Sequence, residues 1–312
     1  MSRRVSRLIK FVRQVNRAVS RSRMPLRNSK YSNHIYNNHI LTALAALREY
    51  LQLSYERFED WLLTIGEELR KAIGLPKNRI PHFTTINKFL LRSKLPQLKS
   101  ILRSFVSLCK LKNLHIAIDS TGHRLKRASH YYVITFSQTA RDRLRRAKDK
   151  RPLKKYLKST FGIEHRKQLI IAVKLRRGPA NDSRDFKPVL KDTASGSQRV
   201  VSAVADKGYD AESNHFFCRK IIGAECIIPL RRSKHRDNEV HGWYRRMLLK
   251  NFPRTQYNRR VIVETVFSVM KRLMGDGIES KKIIAQNRQM ILRGIAYNAH
   301  RMVVIFLVFK NF

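Results

Sequence analysis

Three carboxylates sit where chemistry could be done. Asp119 closes the apolar run LHIAID (114–119) and precedes Ser120, Thr121 and Gly122; Asp206 closes VVSAVAD (200–206) and precedes Lys207 and Gly208. Both are read as standing at the C-terminal ends of strands, the edge at which open α/β sheets build ligand and metal sites. Glu264 lies in YNRRVIVETVFSVMKR (257–272), among Arg259, Arg260, Lys271 and Arg272. Tyr257, Arg260, Glu264 and Lys271 follow one another at steps that keep all four on one stripe of a helix. Apolar residues from Ile262 to Met270 cover most of the rest, so the helix is expected to pack inside a domain with its polar stripe facing a cleft, a metal or a phosphate. An ordinary surface pair with an arginine four residues away, worth a few tenths of a kcal/mol, is the plain alternative for Glu264. The chemical reading is that Glu264 is unpaired because it awaits a metal. Mg²⁺ takes oxygen ligands, commonly one or two carboxylates plus substrate phosphate, and a pair of such ions suits phosphodiester displacement.

The elements that must position these groups follow from pattern. Residues 1–36 form a basic N-terminal helix or arm, with ten Lys/Arg and no acid before residue 31. Residues 37–110 read as a helical domain. One helix covers 39–53, a second runs from a Ser54 cap to a stop at Gly74, and a short basic one, 84–94, starts at a Thr cap. That last helix carries Lys88 and Arg92, and the set suggests a helix-turn-helix DNA reader. Residues 111–312 alternate strands and helices: a strand at 114–122, a hairpin over 161–178 turning near His165–Lys167, a helix at 182–192, a strand ending at Asp206, a helix at 213–223, a strand at 224–231, a loop over 232–256, the Glu264 helix, and a last helix near 285–308. This order predicts an α/β domain with a mixed sheet. Asp182 and Asp185 are read as helix caps and Asp210 as a cap with support of the metal site as its alternative; His115 is read as a packed histidine rather than a ligand, and the aromatics of HYY (130–132) as strand core with stacking on an extruded base as the alternative.

Composition narrows the partner. Lys and Arg number 66 against 22 Asp and Glu, a formal net charge of +44. Such self-repulsion calls for a polyanion, nucleic acid first. With 43% hydrophobic residues the chain is no disordered tail. Three cysteines without a CxxC pair point to a reduced compartment and away from structural zinc. VVIFLVF (303–309) is too short to span a bilayer and reads as the close of a core helix, so no membrane is expected. No Gly-rich phosphate cradle indicates a nucleotide cofactor.

The blocks IDSTG around Asp119, ADKGYD around Asp206 and Tyr257-x2-Arg260-x3-Glu264-x6-Lys271 occur in order. Together they resemble the DDE transposases of prokaryotic insertion sequences, the last block matching their YREK signature, over about residues 111–305. The resemblance implies an RNase H-like catalytic fold with Asp119, Asp206 and Glu264 as catalytic metal ligands. The expected metal is Mg²⁺, two ions, with Mn²⁺ as a substitute. It further implies contacts of Tyr257, Arg260 and Lys271 with transposon-end DNA, nicking at terminal inverted repeats, and attack of the freed 3′-hydroxyl on target DNA. A synaptic homodimer in the prokaryotic cytoplasm, at the nucleoid, is the implied setting. A nuclease without strand transfer and a catalytically inactive DNA-binding protein are the alternatives.

Overall fold

The computed structural model describes residues 6–31, 35–127, 156–231 and 240–308. Six helices lead: α1 (Arg7–Arg21), α2 (Asn38–Leu51), α3 (Tyr55–Thr64), α4 (Glu67–Ile73), α5 (Phe83–Arg92) and α6 (Leu95–Leu108). Ser54 caps α3 by accepting from the Arg57 amide, and Gly74 ends α4 in a left-handed conformation, φ 87°. The helix expected to run unbroken between them is two, because Ile65 is extended and Gly66 starts a new helix. A β-branched residue followed by glycine is a weak place in any helix. The cap of α5 is His82, whose ring accepts from the Thr84 amide, and not a threonine.

The sheet follows. Strands β1 (Asn113–Leu125), β2 (Tyr156–Glu164), β3 (Leu169–Gly178), β4 (Arg199–Ala205) and β5 (Glu225–Ile227) lie in the order β3-β2-β1-β4-β5. β1–β2 and β2–β3 are antiparallel, whereas β1–β4 and β4–β5 are parallel. This is the expected mixed sheet, preceded by helices, and it agrees with the RNase H-like fold that the resemblance implies. Helix α7 (Ser183–Ala194) crosses from β3 to β4; α8 (Glu212–Phe216), extended by a wide helical turn at Phe217–Ile221, crosses from β4 to β5. Then come α9 (Trp243–Lys250), α10 (Arg254–Tyr257), α11 (Val261–Met274), the short strand β6 (Gly277–Ile278) and α12 (Ile283–Val308).

Several boundaries differ from expectation. β1 runs past Asp119 to Leu125 because β2 pairs with it as far as His123 and β6 takes Arg124 and Leu125. β2 starts at Tyr156, ahead of the hairpin expected from 161, and β5 is shorter than 224–231. The segment taken as loop holds α9 and α10. HYY (130–132) lies outside the described residues.

The sheet is covered on both faces. One face packs on Phe186, Val189 and Leu190 of α7 with Tyr209 and Cys218. The other shares a continuous core with α11, α12 and all six leading helices. α12 is the spine of that core. Met290, Ile291, Leu292, Ile295, Ala296, Tyr297, Ala299, Met302 and Val303 are all buried, an apolar surface too wide for a one-sided surface helix. Its terminal stretch does not stay inside: Phe306 is exposed. No helix among the described residues is long and apolar enough to cross a membrane. Asn298 of α12 both accepts from the Ile170 amide (2.9 Å) and donates to its carbonyl (2.7 Å), satisfying the outer strand β3.

The first carboxylate of the chain, Glu49, locks α2 to this spine. It is buried and accepts from Arg293 Nε (2.9 Å), Gln289 Nε2 (3.1 Å) and Arg48. Arg293 also donates to the carbonyls of Gly275 (3.2 Å) and Gly277 (2.9 Å), which fixes the turn after α11. Burial alone would raise the Glu49 carboxyl, but Arg48 and Arg293 hold it below its ordinary value. Glu49→Ala leaves two guanidinium groups buried without it and is expected to cost roughly 3–5 kcal/mol in urea unfolding. Glu67→Ala, at an exposed pair with Lys71, is expected to change stability by under about 0.5 kcal/mol; equal losses for the two would refute the assignment.

Candidate active site

The β1–β4 register does most of the positioning. Ile118 pairs with Ala205 in parallel, so the next residues on each chain are Asp119 and Asp206. Adjacent strands run roughly 4.8 Å apart, which makes the two aspartates neighbours at the point where β4 ends. Asp206 sits at that strand end, as expected; Asp119 sits inside the longer β1 and is half-buried.

The third group arrives from a separate helix. Residues 254–274 form a near-continuous helical run in which Asn258–Arg260 is a 3-10 turn between α10 and α11. Val263, Val266, Phe267 and Met270 bury one face of α11 in the core. This directs Arg260 toward the sheet edge. Its Nη1 donates to Asp119 Oδ2 (2.9 Å) and its Nη2 to Glu264 Oε1 (2.9 Å). Glu264 is therefore not the unpaired carboxylate that the sequence suggested: one guanidinium is shared between it and Asp119, and the Glu264 side chain stays 60% exposed. The ordinary i,i+4 pair is the one that forms, made by an arginine that also holds Asp119.

Electrostatics bind the four groups together. Burial pushes the Asp119 carboxyl up, against the Ser120 amide (2.8 Å) and Arg260, with Asp206 and Asp182 pushing in the same direction as burial. Burial works against the Arg260 charge, yet Tyr257, Asp119, Asp206 and Glu264 together raise its pKa. Tyr257 stands in the same group: burial raises its phenol, Arg260 lowers it, and Asp206 and Asp119 raise it. Lys271 lies two turns beyond Glu264 and acts on the buried His123 of β1; burial first, then Arg293 and Lys271, press that imidazole down to about 3. Lys88 and Arg92 are exposed on α5, which packs on α2, α3 and α12 and not among the carboxylates.

The three aspartates read as caps do other work. Asp182 caps nothing with its side chain. It accepts from the Ser120 hydroxyl and pairs with the buried Lys158 (2.6 Å), so it faces the residue next to Asp119. A Cβ on Gly208 would come 3.4 Å from its Oδ2, which places the Asp206 turn against it as well. Asp185 is buried and held by Arg176 and Thr160 Oγ1 (3.2 Å). Asp210 accepts from Arg245 Nη2 (2.8 Å), the Arg231 amide (2.8 Å) and His215 Nε2 (3.3 Å); burial is outweighed and its carboxyl is held below the usual range. It ties α9 to α8 through Arg245 and His215 and makes no capping bond to α8. His115 packs as expected, its Nδ1 on Ser202 Oγ (2.9 Å). Sequence reasoning missed Asp182 and Ser120 as neighbours of Asp119. The signal for Ser120 is its place in the IDSTG block; for Asp182, far away in the chain, there is none.

The donor set is all carboxylate oxygen, which suits a hard divalent cation. Among the described residues no three acidic or histidine side chains converge closely enough to grip one. One oxygen of Asp119 and one of Glu264 are instead taken by the Arg260 guanidinium.

The family described as "Transposase DDE domain" matches residues 110–299. A solved structure, the cryo-EM structure of a piggyBac transposase synaptic complex with hairpin DNA, is similar at 11% identity. It has a TM-score of 0.48 and covers 98% of this chain and 74% of that one. No curated protein matches.

Arg260→Ala removes the cation that lowers Asp119. The Asp119 carboxyl is then expected to titrate at higher pH than in the parent, read from its side-chain ¹³C shift. A titration unchanged by the substitution would mean that the shared guanidinium does not govern the site.

Proposed function

The chain belongs to the transposase DDE domain family, enzymes that act on DNA and use divalent metal ions, and on that premise we propose that Asp119, Asp206 and Glu264 are its catalytic carboxylates. The observation supporting this most is the Ile118–Ala205 register together with Arg260, which ties Asp119 and Glu264 through one guanidinium. The three would hold divalent ions, Mg²⁺ by the hardness of their oxygens, which when bound polarise the phosphodiester and activate the attacking oxygen.

The chain's own residues do the rest. Arg260 keeps the carboxylates neutralised while DNA is absent and turns to a DNA phosphate when it arrives. Tyr257, half-buried beside Arg260, braces that guanidinium and meets the same strand. Lys271, further along α11, takes the next phosphate. The substrates are the terminal inverted repeats and a target DNA, cut at the element ends and joined through the freed 3′-hydroxyl. Residues 1–36 and 37–110 serve as a basic arm and a helical DNA-binding region, with Lys88 and Arg92 on its exposed α5; residues 111–312 are catalytic. A homodimer holds the two ends.

The test uses DNA carrying the inverted repeats that flank the gene, with Mg²⁺. Glu264→Gln is expected to lower cutting about a thousandfold or more, equivalent to roughly 4 kcal/mol, while DNA affinity stays within about twofold. Normal cutting by the variant would sink the carboxylate assignment. Cutting by the parent without joining to a second DNA would make it a nuclease instead.

A further inference from the structure

A second basic site lies away from the carboxylates. A cleft of about 530 Å³ opens between the α2–α3 corner, α5, the end of β1 and the segment entering α12. Its wall carries seven Lys/Arg and three Glu, an imbalance that an anion would relieve. The floor is closed and satisfied, since Glu49 is already shared by Arg48, Arg293 and Gln289. The rim is not. Glu279 is divided between Lys126 (2.8 Å) and Arg127 (3.5 Å), and both cations are half-exposed or more. Arg57, Lys281 and Lys282 are exposed and form no ion pair among the described residues. Phe83 and Leu91 add apolar surface to the lining, beside Tyr55, whose ring carries the Arg48 guanidinium at 4.0 Å from its centroid. Asn87 and Leu91 of α5 line the cleft, and Lys88 and Arg92, their sequence neighbours, are exposed beside it.

We propose that this cleft is a DNA-backbone site, in which Arg57, Lys281 and Lys282 take phosphates of a strand that continues over Lys88 and Arg92 of α5. It rests on the reading of the chain as a transposase but requires no catalysis. It gives the seam between the helical region and the sheet a task of its own: to hold DNA at a distance from the cutting site and so fix its direction of approach.

The experiment measures binding of a fluorescently labelled mixed-sequence DNA against salt concentration, in the full chain carrying Glu264→Gln so that nothing is cut. Each phosphate contact contributes about 0.7–0.9 to the slope of log affinity against log salt. Arg57→Ala/Lys281→Ala/Lys282→Ala is expected to reduce that slope by roughly 2–3. Lys191→Ala/Arg199→Ala/Lys220→Ala, equally exposed and away from the cleft, is expected to leave it nearly unchanged. Equal slopes for the two triple variants would overturn the proposal, as would tighter binding of an RNA of the same sequence that depends on the same three residues. Should the first triple variant melt below the parent, Lys282→Ala alone decides the matter, with an expected slope change of about 0.7–0.9. Failure of the parent to cut or join DNA would refute the proposed function and leave the slope result standing, so the two are separable.

Discussion

β1 is the constraint on which the rest depends. It is hydrogen-bonded along both edges, antiparallel to β2 and parallel to β4, and its far end also carries β6. A strand pinned on both sides cannot slip by one residue without turning every side chain to the opposite face. Ile116 and Ile118 point into the core shared with α7, while Ala117 faces that of α12. Asp119 is therefore fixed in direction by the residues before it. Its proximity to Asp206 needs no separate interaction; it is a consequence of where the shorter strand stops.

With 22 acids in 312 residues, where the carboxylates are placed is informative. Glu49, Asp185 and Asp210 are each held by one or more arginines at junctions between elements. Removing such a charge exposes the cost of a buried, unpaired partner, so these acids are structural in the strict sense that their cations depend on them. Glu264 differs. It is mostly exposed, adds no element to the fold, and shares its arginine with Asp119. Its position has no packing reason, in keeping with the catalytic role proposed for it.

Much of this arrangement was legible in the sequence. The alternation of strands and helices after residue 111 predicted the mixed sheet, and the apolar run before Asp206 predicted its strand. The Ser54 cap and the Gly74 stop are local chemistry and were found where expected. What failed was non-local. The length of β1 is set by β2 and β6, which begin far along the chain. Asp182, Asp185 and Asp210 look like caps because cap preference is the only force visible from their neighbours; their actual partners, Ser120 and Lys158, Arg176, and Arg245, are brought in by folding. The breadth of the core behaves likewise. Nothing near residues 283–308 announces that this helix will be covered by both the leading helices and the sheet.

The pairing of Arg260 gives the largest departure from expectation a physical sense. Two aspartates side by side, with Asp182 close behind, repel one another in a partly desolvated place, and that repulsion contributes to the raised Asp119 carboxyl. On the function proposed above, the site must remain folded before its cations come. An arginine held on the preceding turn of the same helix as Glu264 meets that need with a charge that cannot be lost by titration. Its pair with Glu264 lies on the solvent side and costs little to break, whereas its pair with the half-buried Asp119 is the firmer hold. On the function proposed above, the same side chain would neutralise carboxylates before DNA arrives and a phosphate afterwards.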